Sequence, residues 1–161
     1  MNIFFLDYQP DHAAAYHVDK HVVKMILETA QLLSTAHHVL DPEENHILLY
    51  KPTHVNHPSA KWVRESGENY KWAWNLLNAL CKEYTRRYGK YHKCDVTGLV
   101  TELSKPPRNI PLGDFTTVKL AMPDEYKISL DPVVCYRNYY NGAKRHMFSW
   151  KTREVPEWIK S

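Results

Sequence analysis

Between residues 11 and 39 (DHAAAYHVDKHVVKMILETAQLLSTAHHV) apolar side chains recur with the helical repeat, which predicts one long amphipathic helix. Val18, Val22, Met25, Ile26, Leu32 and Leu33 take one side, and Val23, Leu27 and Ala30 close in from the other. Between them runs a polar stripe of His17, His21, Lys24, Glu28, Gln31, Thr35 and His38. A stripe hemmed by apolar neighbours belongs in a cleft or a core. Ionisable groups there need partners, and their pKa values are open to tuning. Asp11 is the expected N-cap of this helix.

Residues 2–6 (NIFFL) read as a short strand or a buried extended arm. A connection rich in Pro, Asn and His covers 40–57. Pro58 is then placed to open a second long helix as its first residue, with Asn56 or His57 at the cap. That helix is expected over 58–88, loosened near Gly67 and stopped at Gly89. A short helix follows at 95–104, then a long irregular stretch at 105–130. Asp131 and Pro132 open a last helix, about 132–146. The expected fold is mainly α: a single compact domain over 1–161, with two long and two shorter helices and long irregular loops.

A length of 161 residues fits one domain with a real core. The net charge of +3 is too mild to name a partner, so its distribution matters more. Segment 136–153 carries Arg137, Lys144, Arg145, Lys151 and Arg153 and no acid, interleaved with Tyr136, Tyr139, Tyr140, Phe148 and Trp150. Cations that neutralise phosphates, mixed with rings that stack on bases, suit nucleic-acid binding. Residues 82–93 (KEYTRRYGKYHK) repeat the pattern. His57, Lys61 and Arg64 surround the predicted start of the second helix, where free amides favour an anion. Double-stranded DNA is the expected partner. Cys81, Cys94 and Cys135 form no CxxC pair and read as reduced thiols of a cytoplasmic protein, with Cys81 in the core. The start lacks a basic n-region, so no signal peptide is expected. No apolar run approaches about 18 residues, so no membrane span is expected either.

The stripe carries the candidate chemistry. His17 and His21 stand at i, i+4, a spacing that lets two imidazoles meet one metal, with His54, His57 or Glu65 as a third ligand. The chain has no HExxH motif, and Lys24 is an awkward cation beside a dication. Metal-free acid–base or amine chemistry is the leading reading, with no metal and no cofactor. A polar network that orients helix packing is the non-catalytic alternative. Neither a glycine-rich phosphate loop nor a GxSxG elbow occurs.

Read in order, these pieces resemble the small all-α pyrimidine-dimer DNA glycosylases of the phage endonuclease V type. His21 and Glu28 (HVVKMILE) match that family's histidine and the catalytic glutamate seven residues later. The helix at 58–93 that ends in basic residues, Ile110-Pro111 followed by Phe115, and the tail Tyr136-Arg137-Asn138-Tyr139-Tyr140-Asn141-Gly142-Ala143-Lys144 match its later elements. The chain is also similar to small proteins common in tailed-phage genomes, which implies the cytoplasm of a bacterial host. The family's nucleophile is an α-amine exposed once the initiator methionine is removed, and its glutamate steadies the positive charge that develops. The resemblance implies that Glu28 is the carboxylate here. Asn2 is too large for routine removal of Met1, the arm before the helix is several residues longer, and the family's flanking arginines are Leu27 and Gln31 in this chain. Lys24, one turn from Glu28, is the substitute amine, and His17 and His21 orient groups or contact phosphate. If no amine attacks, Glu28 activates water instead.

The leading expectation is a DNA glycosylase, with or without AP-lyase activity, that removes a damaged or modified pyrimidine. A metal-dependent nucleotide hydrolase built on the histidines, and a non-enzymatic protein that binds nucleic acid or a host factor, are the alternatives.

Overall fold

The computed structural model describes residues 1–161. The fold is mainly helical, as expected, and contains no strand. Seven α-helices replace the expected four: α1 (Pro10–Tyr16), α2 (Asp19–Leu40), α3 (Pro58–Val63), α4 (Gly67–Tyr88), α5 (Lys93–Val96), α6 (Leu99–Leu103) and α7 (Pro132–Ala143). Single 3₁₀ turns sit at Asp124–Tyr126 and Arg145–Met147.

The extra helices come from breaks inside periodic segments. The helix expected over 11–39 is interrupted at His17 and Val18, whose ψ values of 135° and 156° are extended. A break frees backbone carbonyls, which must find donors when buried. Arg87, fully buried on α4, donates to Ala15 O at 2.9 Å and to His17 O at 2.7 Å. Trp150 Nε1 donates to Tyr16 O at 2.8 Å. The donors lie more than 60 positions away, so no local pattern announces the break. The start is also corrected. Gln9 is the N-cap and Pro10 the first helical residue, while Asp11 lies in the first turn.

The helix expected over 58–88 likewise divides. His57 caps α3 through Ser59 N–H, as expected. After Val63 the chain turns, and Ser66 caps α4 by accepting from Asn69 N–H at 3.1 Å. Gly67 is therefore the first residue of α4 rather than a weak point within a helix. Buried Asn69 closes the break, donating to Trp62 O and accepting from Thr116 N–H. Gly67 N–H donates to Pro111 O. The irregular 105–130 segment is thus strapped across the α3–α4 junction. Gly89 ends α4 with a φ of 68°, left-handed backbone that a glycine adopts without strain. The short helix expected at 95–104 becomes α5 and α6, separated by Gly98. Asp131 accepts from Val133 N–H to open α7, which stops at Ala143, short of the expected 146.

α2 and α4 form the central pair, with α1 against α4. The arm has no regular secondary structure, turns tightly where Leu6 N–H donates to Phe4 O, and is buried: Ile3, Phe4, Phe5 and Leu6 are each at most 4% exposed. Burying a side chain of this size contributes about 1.5–3 kcal/mol, so four in a row anchor the N-terminus in the core. Phe5 packs on Trp72 at 4.6 Å between ring centroids. Arg137 of α7 holds the arm's exit by donating to Leu6 O and pairing with Asp7.

Candidate active site

The buried arm delivers the start of the chain to the polar stripe. The Met1 α-amine lies 3.3 Å from Glu28 Oε1. One turn back on α2, Lys24 Nζ lies 3.6 Å from Glu28 Oε2. Helical i, i+4 spacing sets the second contact. The arm's anchoring sets the first. Asn2 is fastened on both sides of its amide, since its Nδ2 donates to Ala121 O at 2.9 Å and its Oδ1 accepts from Ile3 N–H and Tyr136 O–H. Tyr136 in turn accepts from Ala121 N–H, and its single proton is shared between Asn2 Oδ1 and the closer Lys119 O. Glu28 is buried, so its charge needs company. Both of its ion-pair partners are amines. The Met1 side chain is buried, at 3% exposed, and the residue lines the cleft, whereas the Lys24 side chain is 68% exposed.

These groups line an open cleft of about 470 Å³, together with His21, His57, Phe4, Tyr139 and Lys144. Met25 and Met122 add soft apolar surface. Along one side His21 stacks on Phe4, with centroids 4.3 Å apart and planes within 17°. Tyr139 lies on Phe4 at 6.2 Å and 23°. The Lys144 ammonium sits 4.9 Å from the Tyr139 centroid and 5.9 Å from that of Phe4.

Burial biases His21, His17 and His57 toward the neutral form. Burial, followed by the charges of His17, Lys144, Lys24 and His146, pushes His21 down to about 3. Burial likewise takes His17 down to about 4. Burial and then the Met1 amine lower His57.

The expected site residues separate into three groups. Glu28, Lys24, His21, His57, Tyr139 and Lys144 meet at the cleft. Several others are structural. His17 is fully buried behind the cleft, bonded through Nδ1 to Ala13 O, and does not reach its lining; the expectation of a catalytic or phosphate contact is corrected. Tyr136 and Tyr140, expected at a nucleic-acid interface, are both fully buried. Arg137 is spent on the arm and on the rings of Tyr16 and Trp158. The basic 82–93 run contributes Arg87 to the interior, where it pairs with Glu83 and Asp19. The last group lies elsewhere on the surface. Lys61 is exposed, Arg145 donates to Lys160 O, and Lys151 lies over the Tyr88 ring. Arg64 is partly buried with one guanidinium nitrogen unpartnered. Val23 and Leu27 are about 40% exposed, so the stripe is sealed on one flank only.

The sequence reading missed Phe4, Met25 and Met122 in the cleft, and it missed that the Met1 amine reaches Glu28. The apolar run NIFFL was the available signal, since a buried arm must end somewhere inside. The metal geometry that the i, i+4 spacing of His17 and His21 offered as an alternative does not form. Their rings stand 6.4 Å apart and at 71°, with each Nδ1 already engaged. No set of three or more His, Cys, Asp or Glu side chains gathers as a metal cage. No helix is long and apolar enough to cross a membrane. Comparison with known proteins found no matching family, curated protein or solved structure.

Chemically, the site is a buried carboxylate bridging two amines at the edge of an aromatic-walled cleft. An amine supplies a nucleophile once it is neutral. A carboxylate within hydrogen-bond reach can take its proton and stabilise the cation that follows.

Proposed function

We propose that this protein is a DNA glycosylase with AP-lyase activity, acting on a damaged or modified pyrimidine, with the Met1 α-amine as nucleophile and Glu28 as the carboxylate. The observation that carries the reading is the 3.3 Å approach of that amine to Glu28. Burial of the Met1 side chain and of the arm that follows holds the amine in place, which lowers the entropy cost of attack.

The amine lone pair attacks the sugar C1′. The bond from C1′ to the base breaks, its electron pair leaves with the base, and the base takes up a proton. Glu28 accepts the proton released from the attacking amine and passes it to the sugar O4′ as the C1′–O4′ bond breaks, which opens the ring and leaves a cationic Schiff base facing the carboxylate. Removal of a C2′ proton then expels the 3′ phosphate, which cuts the strand. Lys24 and Lys144 at the mouth of the cleft suit neighbouring phosphates. The target nucleotide must leave the base stack to reach a cleft of this kind.

Duplexes carrying one abasic site or one modified pyrimidine test the reading. Wild-type protein cuts the damaged strand, Lys24→Ala retains cutting, and Glu28→Gln loses it. If wild type neither releases a base nor cuts any such duplex, the reading fails.

A further inference from the structure

The deepest polar group facing the cleft is His21, and its proton can be placed. Tyr140, behind it, is fully buried. The Val18 backbone N–H points at the Tyr140 oxygen from 3.4 Å, and His21 Nδ1 lies 2.7 Å away. A backbone N–H only donates, so the phenol oxygen accepts there. Its single proton is left for His21 Nδ1. The opposite arrangement would leave a buried phenol O–H without an acceptor, a costly state. Burial holds the Tyr140 phenol far above its ordinary range, so that proton stays on.

A neutral imidazole that accepts at Nδ1 carries its own proton at Nε2. His21 Nε2 has no protein partner, and the ring lines the cleft. Stacking on Phe4 keeps the ring from swinging. Besides Tyr140 and Phe4, the groups acting on it are His17, Lys144, Lys24 and His146, none of them an acid. Burial and this company keep it neutral at physiological pH. The rest of the polar lining is also rich in donors. Lys24 and Lys144 are cations, and His57 accepts at Nδ1 from Ser59, which leaves its proton on Nε2. Glu28, the one carboxylate of the lining, is already matched by two amines.

We infer that His21 is a fixed, neutral hydrogen-bond donor that reads a carbonyl oxygen on an extruded pyrimidine, with Tyr140 as the positioning residue that sets its tautomer. The inference rests on the glycosylase reading above and names the base that reading leaves open. A uracil- or thymine-type base has a carbonyl on both sides of N3 and satisfies His21 in either orientation. Cytosine has a carbonyl on one side and an amino group on the other. An amino group turned to His21 sets donor against donor and leaves both unpaired.

Two measurements test the inference. The first is a long-range proton–nitrogen spectrum of the histidines from about pH 5.5 to about 8. His21 is expected to carry its proton on Nε2 throughout, and Tyr140→Phe is expected to release that tautomer. A His21 that titrates in this range, or that holds its proton on Nδ1, overturns the assignment. The second is the affinity for duplexes with a single deoxyuridine or deoxycytidine opposite a tetrahydrofuran abasic analogue, so that neither base is paired. Wild type should favour deoxyuridine by about tenfold. His21→Gln, which keeps a donor near the Nε2 position, should retain the preference, and His21→Leu should lose it. Equal affinity for the two duplexes overturns base reading while leaving the chemistry of Met1 and Glu28 standing. Failure to bind either duplex overturns both.

Discussion

Glu28 is the residue on which the proposed chemistry turns, and its two amine partners make its loss specific. Glu28→Gln keeps the shape of the side chain but removes the charge between two amines. The activity of a positioned acid–base group is typically about 10²–10⁴-fold, so strand cutting should fall by about 100-fold or more, with the helical circular-dichroism spectrum unchanged. A Glu28→Gln protein of full activity would show that the carboxylate is only structural. His17 makes a different prediction. It is held at about 4 in the fold, against an ordinary value of 6.5. Between these values the unfolded chain binds a proton that the folded chain refuses. The stability linked to His17 is therefore fully present above pH 6.5 and lost as pH falls toward 4. The loss amounts to about 2 kcal/mol between about pH 7 and about pH 5. Denaturant midpoints at the two values measure the drop, and His17→Met should shrink it while leaving the share of His21, which is held lower still. An equal drop in the variant would assign the acid sensitivity to other groups.

At the scale of elements, stability depends on how each helix break is closed. Arg87 satisfies two carbonyls at the α1–α2 break while pairing with Glu83 and Asp19. Burial raises the Glu83 pKa, but its hydrogen bonds to Arg153 and Arg87 outweigh that and hold it below the usual carboxylate range. Replacing Arg87 by Met strands buried acceptors and a carboxylate, which should cost about 3–5 kcal/mol by urea unfolding. A cost below about 1 kcal/mol would mean that water closes the break instead. Gly142 plays a smaller part on α7. A Cβ there would collide with the Tyr126 ring, which packs on Tyr139 of the cleft wall at 5.1 Å. Gly142→Ala should cost about 1–3 kcal/mol as an overpacked contact, read in the same unfolding assay. These features also mark where sequence legibility stops. The caps at His57 and Asp131 and the stop at Gly89 were readable because they act within a few residues. The break at 17–18 was not, because its donors, Arg87 and Trp150, are brought there only by tertiary packing; the break at 64–66 carried a local cap at Ser66 that went unread, while its closure by Thr116 and Pro111 depends on packing.

Across the whole molecule, the site is made by bringing the first residue to the twenty-eighth. Helical spacing alone made the His21, Lys24 and Glu28 face legible. It could not show that the basic and aromatic C-terminal segment divides, with Tyr139 and Lys144 at the cleft and Tyr136, Tyr140 and Arg137 turned inward. Local sequence does not distinguish a tyrosine that stacks on a ligand from one that fills a core. In the proposed reaction, activity depends on the position of the amine more than on its identity. Two residues added ahead of Met1 move the amine by about 7 Å and should abolish cutting while leaving the fold and Glu28 intact.

The most direct test of the account is borohydride trapping on a duplex with one abasic site, followed by peptide mapping of the adduct. The account predicts a covalent adduct on the peptide that contains Met1, retained in Lys24→Ala and lost in Glu28→Gln. An adduct mapped to Lys24 would move the nucleophile to the exposed amine. No adduct at all, with no strand cut, would contradict the assignment of amine chemistry to this cleft.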